Sequence, residues 1–212
     1  MRKTESDLNS EEGNGWYGQS LIETRNLSPE KIRSVLKRSA ELKKLWQSWR
    51  GSEFPHKSLR GKTLVNMFFE ASTRTRSSFE LAARRLGATV LNLQPETSSV
   101  TKGETLLDTA RNLVAMDPDL LIIRHTSAGA CGMLSKAIKT PIINAGDGFK
   151  EHPSQALLDA FTIEERKGSC EGLNVVIVGD IAHSRVARSN IYTLQKLGAK
   201  ISVCSAPSLI PP

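Results

Sequence analysis

Apolar positions along the chain alternate between two periods. Short, mainly apolar runs at residues 64–69, 88–93, 120–123 and 141–144 read as strands buried on both faces. Between them the apolar residues recur at helical spacing: Phe79, Ala82, Ala83 and Leu86, then Leu106, Leu107, Ala110, Leu113 and Val114. A helix is expected over 129–138, and another opens at His152-Pro153-Ser154 and carries Ala156, Leu157, Leu158, Ala160, Phe161 and Ile163. Earlier, Ser28-Pro29-Glu30 has the form of a helix start, a capping hydroxyl followed by proline at the first helical position. Ile32, Val35, Leu36, Leu42, Leu45, Trp46 and Trp49 follow it on roughly one face. After a junction at Lys167-Gly168-Ser169 the pattern resumes with a strand at 175–178, a helix at 184–197 and a strand at 200–204. Strands alternating with helices predict an α/β chain of two doubly wound parallel-sheet, Rossmann-like domains. The expected division is a polar extension over 1–19, a first domain over 20–166 and a second, incomplete domain over 167–212.

In such a sheet the loops after the strands gather along one edge, and ligands bind there. The first of these loops carries Ser72, Thr73, Arg74, Thr75 and Arg76 at the expected start of a helix, whose unpaired N–H groups and dipole attract an anion. Ser72 or Thr73 could equally serve as a simple cap there. The second loop offers Ser98, Ser99 and Lys102, the third Arg124, the fourth His152 and Gln155, and the second domain adds Arg185. Cations and hydroxyls dominate, with carboxylates such as Glu70 and Asp180 in the minority, so the set suits a doubly anionic substrate with a phosphate and a carbonyl. Arg76 lies two residues from Arg74 and points elsewhere on the helix, which suits a structural ion pair.

Several function classes lack their parts. There is no Gly-x-x-x-x-Gly-Lys-Ser/Thr loop, and Gly179-Asp180-Ile181-Ala182-His183-Ser184 lacks the later glycines of a dinucleotide fingerprint. Cys131, Cys170 and Cys204 are far apart and odd in number, which argues against a disulfide framework and suits a reducing cytoplasm. Neither they nor the four histidines show metal-ligand spacing, so no metal and no cofactor is expected. No apolar run approaches the ~20 residues that cross a bilayer, so no membrane association is expected. The net charge of +7 permits nucleic-acid binding, but the arginines sit singly at strand ends and the basic stretch over 31–62 reads as a solvated helix face, so no nucleic-acid partner is expected.

Phe68-Phe69-Glu70-Ala71-Ser72-Thr73-Arg74-Thr75-Arg76 resembles the carbamoyl phosphate motif of the aspartate/ornithine carbamoyltransferase superfamily, and His152-Pro153-Ser154-Gln155 resembles its second signature. Ser98-Ser99-Val100-Thr101-Lys102-Gly103-Glu104-Thr105, Arg124-His125 and Asn144-Ala145-Gly146-Asp147-Gly148 are similar to the aspartate branch. The resemblance covers residues 21–204 and implies transfer of a carbamoyl group from carbamoyl phosphate to L-aspartate in pyrimidine synthesis. It implies that Ser72, Thr73, Arg74 and Thr75 cradle the phosphate and that Thr75, Arg124 and His152 bond the carbonyl oxygen. Gln155 would bind the carbamoyl amino group, Lys102 and Arg185 the aspartate, and Ser98 with Lys102 would reach into a neighbouring subunit of a homotrimer. A regulatory chain is a possible further partner.

Members of the superfamily run about a hundred residues further, so this chain is expected to be a fragment that keeps the carbamoyl phosphate half-site without turnover. Two other readings stay open: a transcarbamoylase for another amine such as ornithine, and a non-catalytic carbamoyl phosphate-binding or scaffold chain.

Overall fold

The computed structural model describes residues 15–49, 54, 56–93 and 104–211. Ser98, Ser99 and Lys102 lie outside them. Among the described residues, six α-helices and six strands follow one another as α1 Pro29–Ser48, β1 Thr63–Phe68, α2 Thr73–Arg85, β2 Thr89–Leu93, α3 Leu106–Val114, β3 Leu120–His125, α4 Ala130–Ala137, β4 Ile142–Asp147, α5 Pro153–Lys167, β5 Asn174–Val178, α6 Arg185–Lys196 and β6 Lys200–Cys204. The first four strands form one parallel sheet in the order β2-β1-β3-β4, and β5 and β6 form a second parallel pair. Leu21 extends the first sheet by a parallel bridge to Ile143.

The expected α/β architecture is present, with two differences at the strand ends. Arg124 and His125 belong to β3 instead of following it, and β4 runs on through Gly146 and Asp147, which the sequence reading places in a loop. A bulge between Ile123 and His125 accommodates the change of register against β4. The charged ends escape an apolar reading of the strand because their side chains serve the sheet edge, not the core.

Three apolar clusters hold the molecule together. Val65, Met67, Leu121, Ile123 and Ile142 pack against α3 and α4 on one face of the four-stranded sheet. Leu64, Phe68, Val90 and Ile122 pack with Ala83 of α2 on the other. The third cluster joins Ile32 and Leu36 of α1, Leu157 and Ala160 of α5, and Leu194 and Leu197 at the end of α6. It therefore links the two sheets through helices. Only the first half of the α1 apolar stripe is buried in this way. Leu45 and Trp46 remain partly exposed, and Trp46 stacks with Trp49 and Phe54 and lies under the Arg85 guanidinium. The β5–β6 pair turns Val175 and Ile177 towards the third cluster's side and leaves Val176 and Val178 exposed. No described helix is long and apolar enough to cross a membrane.

Candidate functional site

Strand order β2-β1-β3-β4 means that the chain leaves β1 in one direction and β3 in the other, so the crevice between their C-terminal ends is the topological switch point. The residues that follow from the sequence meet there. Phe68 is in register with Arg124, and Phe69 N–H donates to the Arg124 carbonyl at 2.9 Å, so the loop after β1 begins beside the Arg124 side chain.

That loop opens α2. Ser72 is the cap residue, but its side chain makes no capping bond; its hydroxyl donates to Thr75 Oγ1 at 3.0 Å. The first-turn N–H groups therefore keep their anion-binding capacity, and the simple-cap reading does not hold. Arg74 is exposed at this end, and its side chain has no hydrogen-bond or ion-pair partner among the described residues, while Thr75 is half-buried.

Arg124 is buried, and its guanidinium donates to the Ala145 carbonyl at 3.3 Å and to Glu70. Its Nε is buried with no hydrogen-bond partner among the described residues. Burial lowers the Arg124 pKa, Glu70 opposes that effect, and nearby Arg185 adds to it. Arg185, from the first turn of α6, reaches back to Glu70 through two bonds of 2.9 and 2.6 Å and to the Gly148 carbonyl at 3.0 Å. Glu70 is thus held between two guanidiniums, with Arg185 the main cause of its lowered pKa. In the sequence Glu70 stands only as one of a minority of carboxylates, with no task of its own. Its place in the loop that carries Ser72, at the end of the same strand, was the available signal.

The end of β4 and the turn after it are held by polar residues of the strand itself. Asn144 receives Gly146 N–H at 2.7 Å on its Oδ1 and donates to Asp147 at 3.1 Å, while Asp147 also accepts from Gly129 N–H at 2.9 Å. Burial raises the Asp147 pKa against these bonds. Gly146 has φ +114°, and a Cβ there would sit 3.1 Å from Arg185 Nε and 3.2 Å from an Arg124 nitrogen. Glycine is what allows the two guanidiniums to approach the strand end.

His152 occupies the position before α5 and is buried, with Nδ1 3.2 Å from Ser154 Oγ. Desolvation, followed by the fields of Arg124 and Arg185, lowers its pKa to about 4. The imidazole is neutral at pH 7. Gln155 follows one turn on and donates to Asp159 at 2.9 Å. Glu70, Thr126, Gly148, Phe149, Ser184 and Arg185 border an open cleft of about 530 Å³ between the sheet edge and α6. The structure therefore gathers Arg124, Arg185 and Glu70 directly and sets His152 within the field of the two arginines. An arrangement of open helix N–H groups, a buried guanidinium and a neutral imidazole can bind a phosphate and polarise a carbonyl.

Known proteins resemble this chain along most of its length. Residues 19–165 match the family model described as aspartate/ornithine carbamoyltransferase, carbamoyl-P binding domain. The chain is 53% identical over 197 residues to the aspartate carbamoyltransferase catalytic subunit of Syntrophus aciditrophicus, covering 92% of this chain and 63% of that protein. It is 50% identical to the corresponding subunit of Geotalea daltonii, covering 92% and 61%. In structure it is similar to aspartate transcarbamoylase from Trypanosoma cruzi in complex with aspartate and phosphate, with a TM-score of 0.85, 33% identity and coverage of 93% and 64%. The catalytic subunit of M. jannaschii aspartate transcarbamoylase gives 0.81, 37% identity and coverage of 92% and 62%. The chain thus spans about three fifths of the length of these curated relatives.

Proposed function

Since the chain belongs to the aspartate/ornithine carbamoyltransferase family, we propose that it supplies the carbamoyl phosphate half of an aspartate carbamoyltransferase active site. The observation that carries this reading is the uncapped start of α2 beside the buried Arg124 at the β1–β3 switch point. The N–H groups of that first turn, with Ser72, Thr73, Thr75 and Arg74, receive the phosphate. The orphaned Arg124 Nε calls for an acceptor, and a ligand oxygen would satisfy it.

Carbamoyl transfer then proceeds by addition of the aspartate amine to the carbamoyl carbon. The C–N bond forms as the carbonyl oxygen becomes negative, the bond from carbon to the phosphate oxygen breaks, and the departing phosphate takes the amine proton. Thr75, Arg124 and His152 donate to the developing oxyanion, and removal of one such donor typically lowers the rate about 10²–10³-fold. In this reading the Ser154 hydroxyl, 3.2 Å from Nδ1, donates to it, so that the His152 ring proton resides on Nε2 and the neutral imidazole gives that hydrogen bond to the oxygen. Gln155 orients the carbamoyl amino group, and Arg185 takes an aspartate carboxylate by exchanging it for Glu70. The family resemblance of the sequence over 98–105 supports a cytoplasmic homotrimer with shared sites, to which Lys102 and Ser98 would contribute from a neighbouring subunit.

Calorimetric titration with carbamoyl phosphate tests the reading. Saturable binding at one site per chain, competed by inorganic phosphate, is expected; no heat with either ligand would overturn it. An amine screen on the complete polypeptide should show carbamoylation of L-aspartate in preference to L-ornithine.

A further inference from the structure

Behind His152 lies a buried polar chain that the proposed chemistry does not use. Glu151 is only 2% exposed although it precedes the site histidine directly. Its carboxylate caps the 3-10 turn Thr24–Asn26, accepting from Thr24 N–H at 2.6 Å, Thr24 Oγ1 at 2.7 Å and Arg25 N–H at 3.3 Å. The opposite end of the same turn is closed by Lys196, whose ammonium donates to the Thr24, Arg25 and Leu27 carbonyls at 2.8, 2.5 and 2.6 Å. An ammonium has three protons to give, and three acceptors receive them. The turn is therefore gripped by an acid from the β4–α5 loop and a base from the end of α6.

Ser189, fully buried on α6, carries this grip to the site. Its hydroxyl donates to Glu151 Oε2 at 3.0 Å and accepts the His152 backbone N–H at 2.9 Å. A hydroxyl has one proton, so the bond to Glu151 decides which way it points and leaves a lone pair for His152. His152 N–H has no helical partner at this position, because the residue stands ahead of the first turn of α5.

We propose that Glu151 is a positioning residue for His152. By orienting Ser189 it fixes the backbone from which the imidazole projects, and by gripping the Thr24–Asn26 turn it ties that orientation to the N-terminal segment. The N-terminal turn, α6 and the site histidine form one mechanical unit, with Thr24 its distal member.

The positioning link can be tested without any ligand, so its failure is separable from failure of the carbamoyl phosphate reading on which its functional consequence rests. Native-state amide exchange is measured for His152 and, as a core reference, Ile122 in the unchanged chain and in Glu151→Gln, Thr24→Val and Thr24→Ser. A glutamine offers one acceptor oxygen where the carboxylate offers two, and valine keeps the shape of threonine without the hydroxyl. Loss of a bond to a charged group predicts about tenfold or faster exchange at His152 in both variants relative to Ile122. Thr24→Ser should restore the unchanged rate. Carbamoyl phosphate affinity should fall with the His152 protection factor across the series. A His152 amide whose exchange is not accelerated over the unchanged chain in Thr24→Val and Glu151→Gln would overturn the proposal. So would equal acceleration at both amides, since that reports only lost global stability. If Glu151→Gln does not fold, the Thr24 pair decides alone.

Discussion

At the residue scale two side chains carry the most information. Arg124 is buried beside a carboxylate that Arg185 also holds, so replacing it with methionine leaves Glu70 paired. Arg124→Met is therefore expected to fold and to bind carbamoyl phosphate about 10- to 100-fold more weakly, the worth of a charge-assisted bond, as read by calorimetry. His152 is pushed to about 4 by burial and by the arginines, below its ordinary value of 6.5. Between these values the unfolded chain binds more protons than the folded one, so this group costs stability as pH falls from about 6.5 towards 4. His152→Gln should accordingly lose less stability between pH 6.5 and 5 than the unchanged chain, measured by urea unfolding at each pH. An equal pH slope in both proteins would contradict the buried, neutral imidazole. The residue types at these positions are readable from the sequence; the pairing of Glu70 with two arginines is not, because Glu70 and Arg185 are separated by 115 residues and meet only when α6 packs beside the sheet edge.

At the element scale the end of β4 and its connection to α5 matter most, because they place Gly146, Gly148, Glu151 and His152 within one short stretch. Gly148 has φ +52°, and a Cβ there would lie 2.5 Å from Ala128 N and 2.8 Å from the Thr126 carbonyl. Both obstacles are backbone, which cannot step aside as a flexible side chain would. Gly148→Ala should cost roughly 1–3 kcal/mol or more of stability, seen as a lowered thermal midpoint. Helix positions were anticipated closely because caps and period are local: Ser28 accepts Lys31 N–H at 3.2 Å, and Thr105 with Asp108 forms a full capping box. The ends of β3 and β4 were read short because Arg124, His125, Gly146 and Asp147 break the apolar run while the backbone continues in the sheet.

At the scale of the whole molecule the cluster of α1, α5 and α6 decides cooperativity. Leu194 is 2% exposed in it and belongs to the helix between β5 and β6, whereas Trp16, Trp46 and Trp49 all precede the first strand. Leu194→Ala should cost about 2–5 kcal/mol, and tryptophan fluorescence and far-ultraviolet circular dichroism should shift to the same lower denaturant midpoint. A fluorescence midpoint that stays put while part of the dichroism is lost early would show that the β5–β6 unit melts by itself. Exposed Val176 and Val178 on that pair make this a sharp test, since its other face carries the coupling.

The sequence by itself determined the alternation of strands and helices, the hydroxyls and arginines at the helix start after β1 and the list of cations around it. Those properties depend on local backbone preference, periodicity and side-chain chemistry, all written within a few residues. Tertiary structure decided which of the listed groups meet. It made Glu70 the shared partner of Arg124 and Arg185, drove His152 to its neutral form by burial, and gripped the Thr24–Asn26 turn between Glu151 and Lys196. Each of these contacts joins residues that are distant along the chain, and both burial and electrostatic field arise from neighbours that only packing supplies.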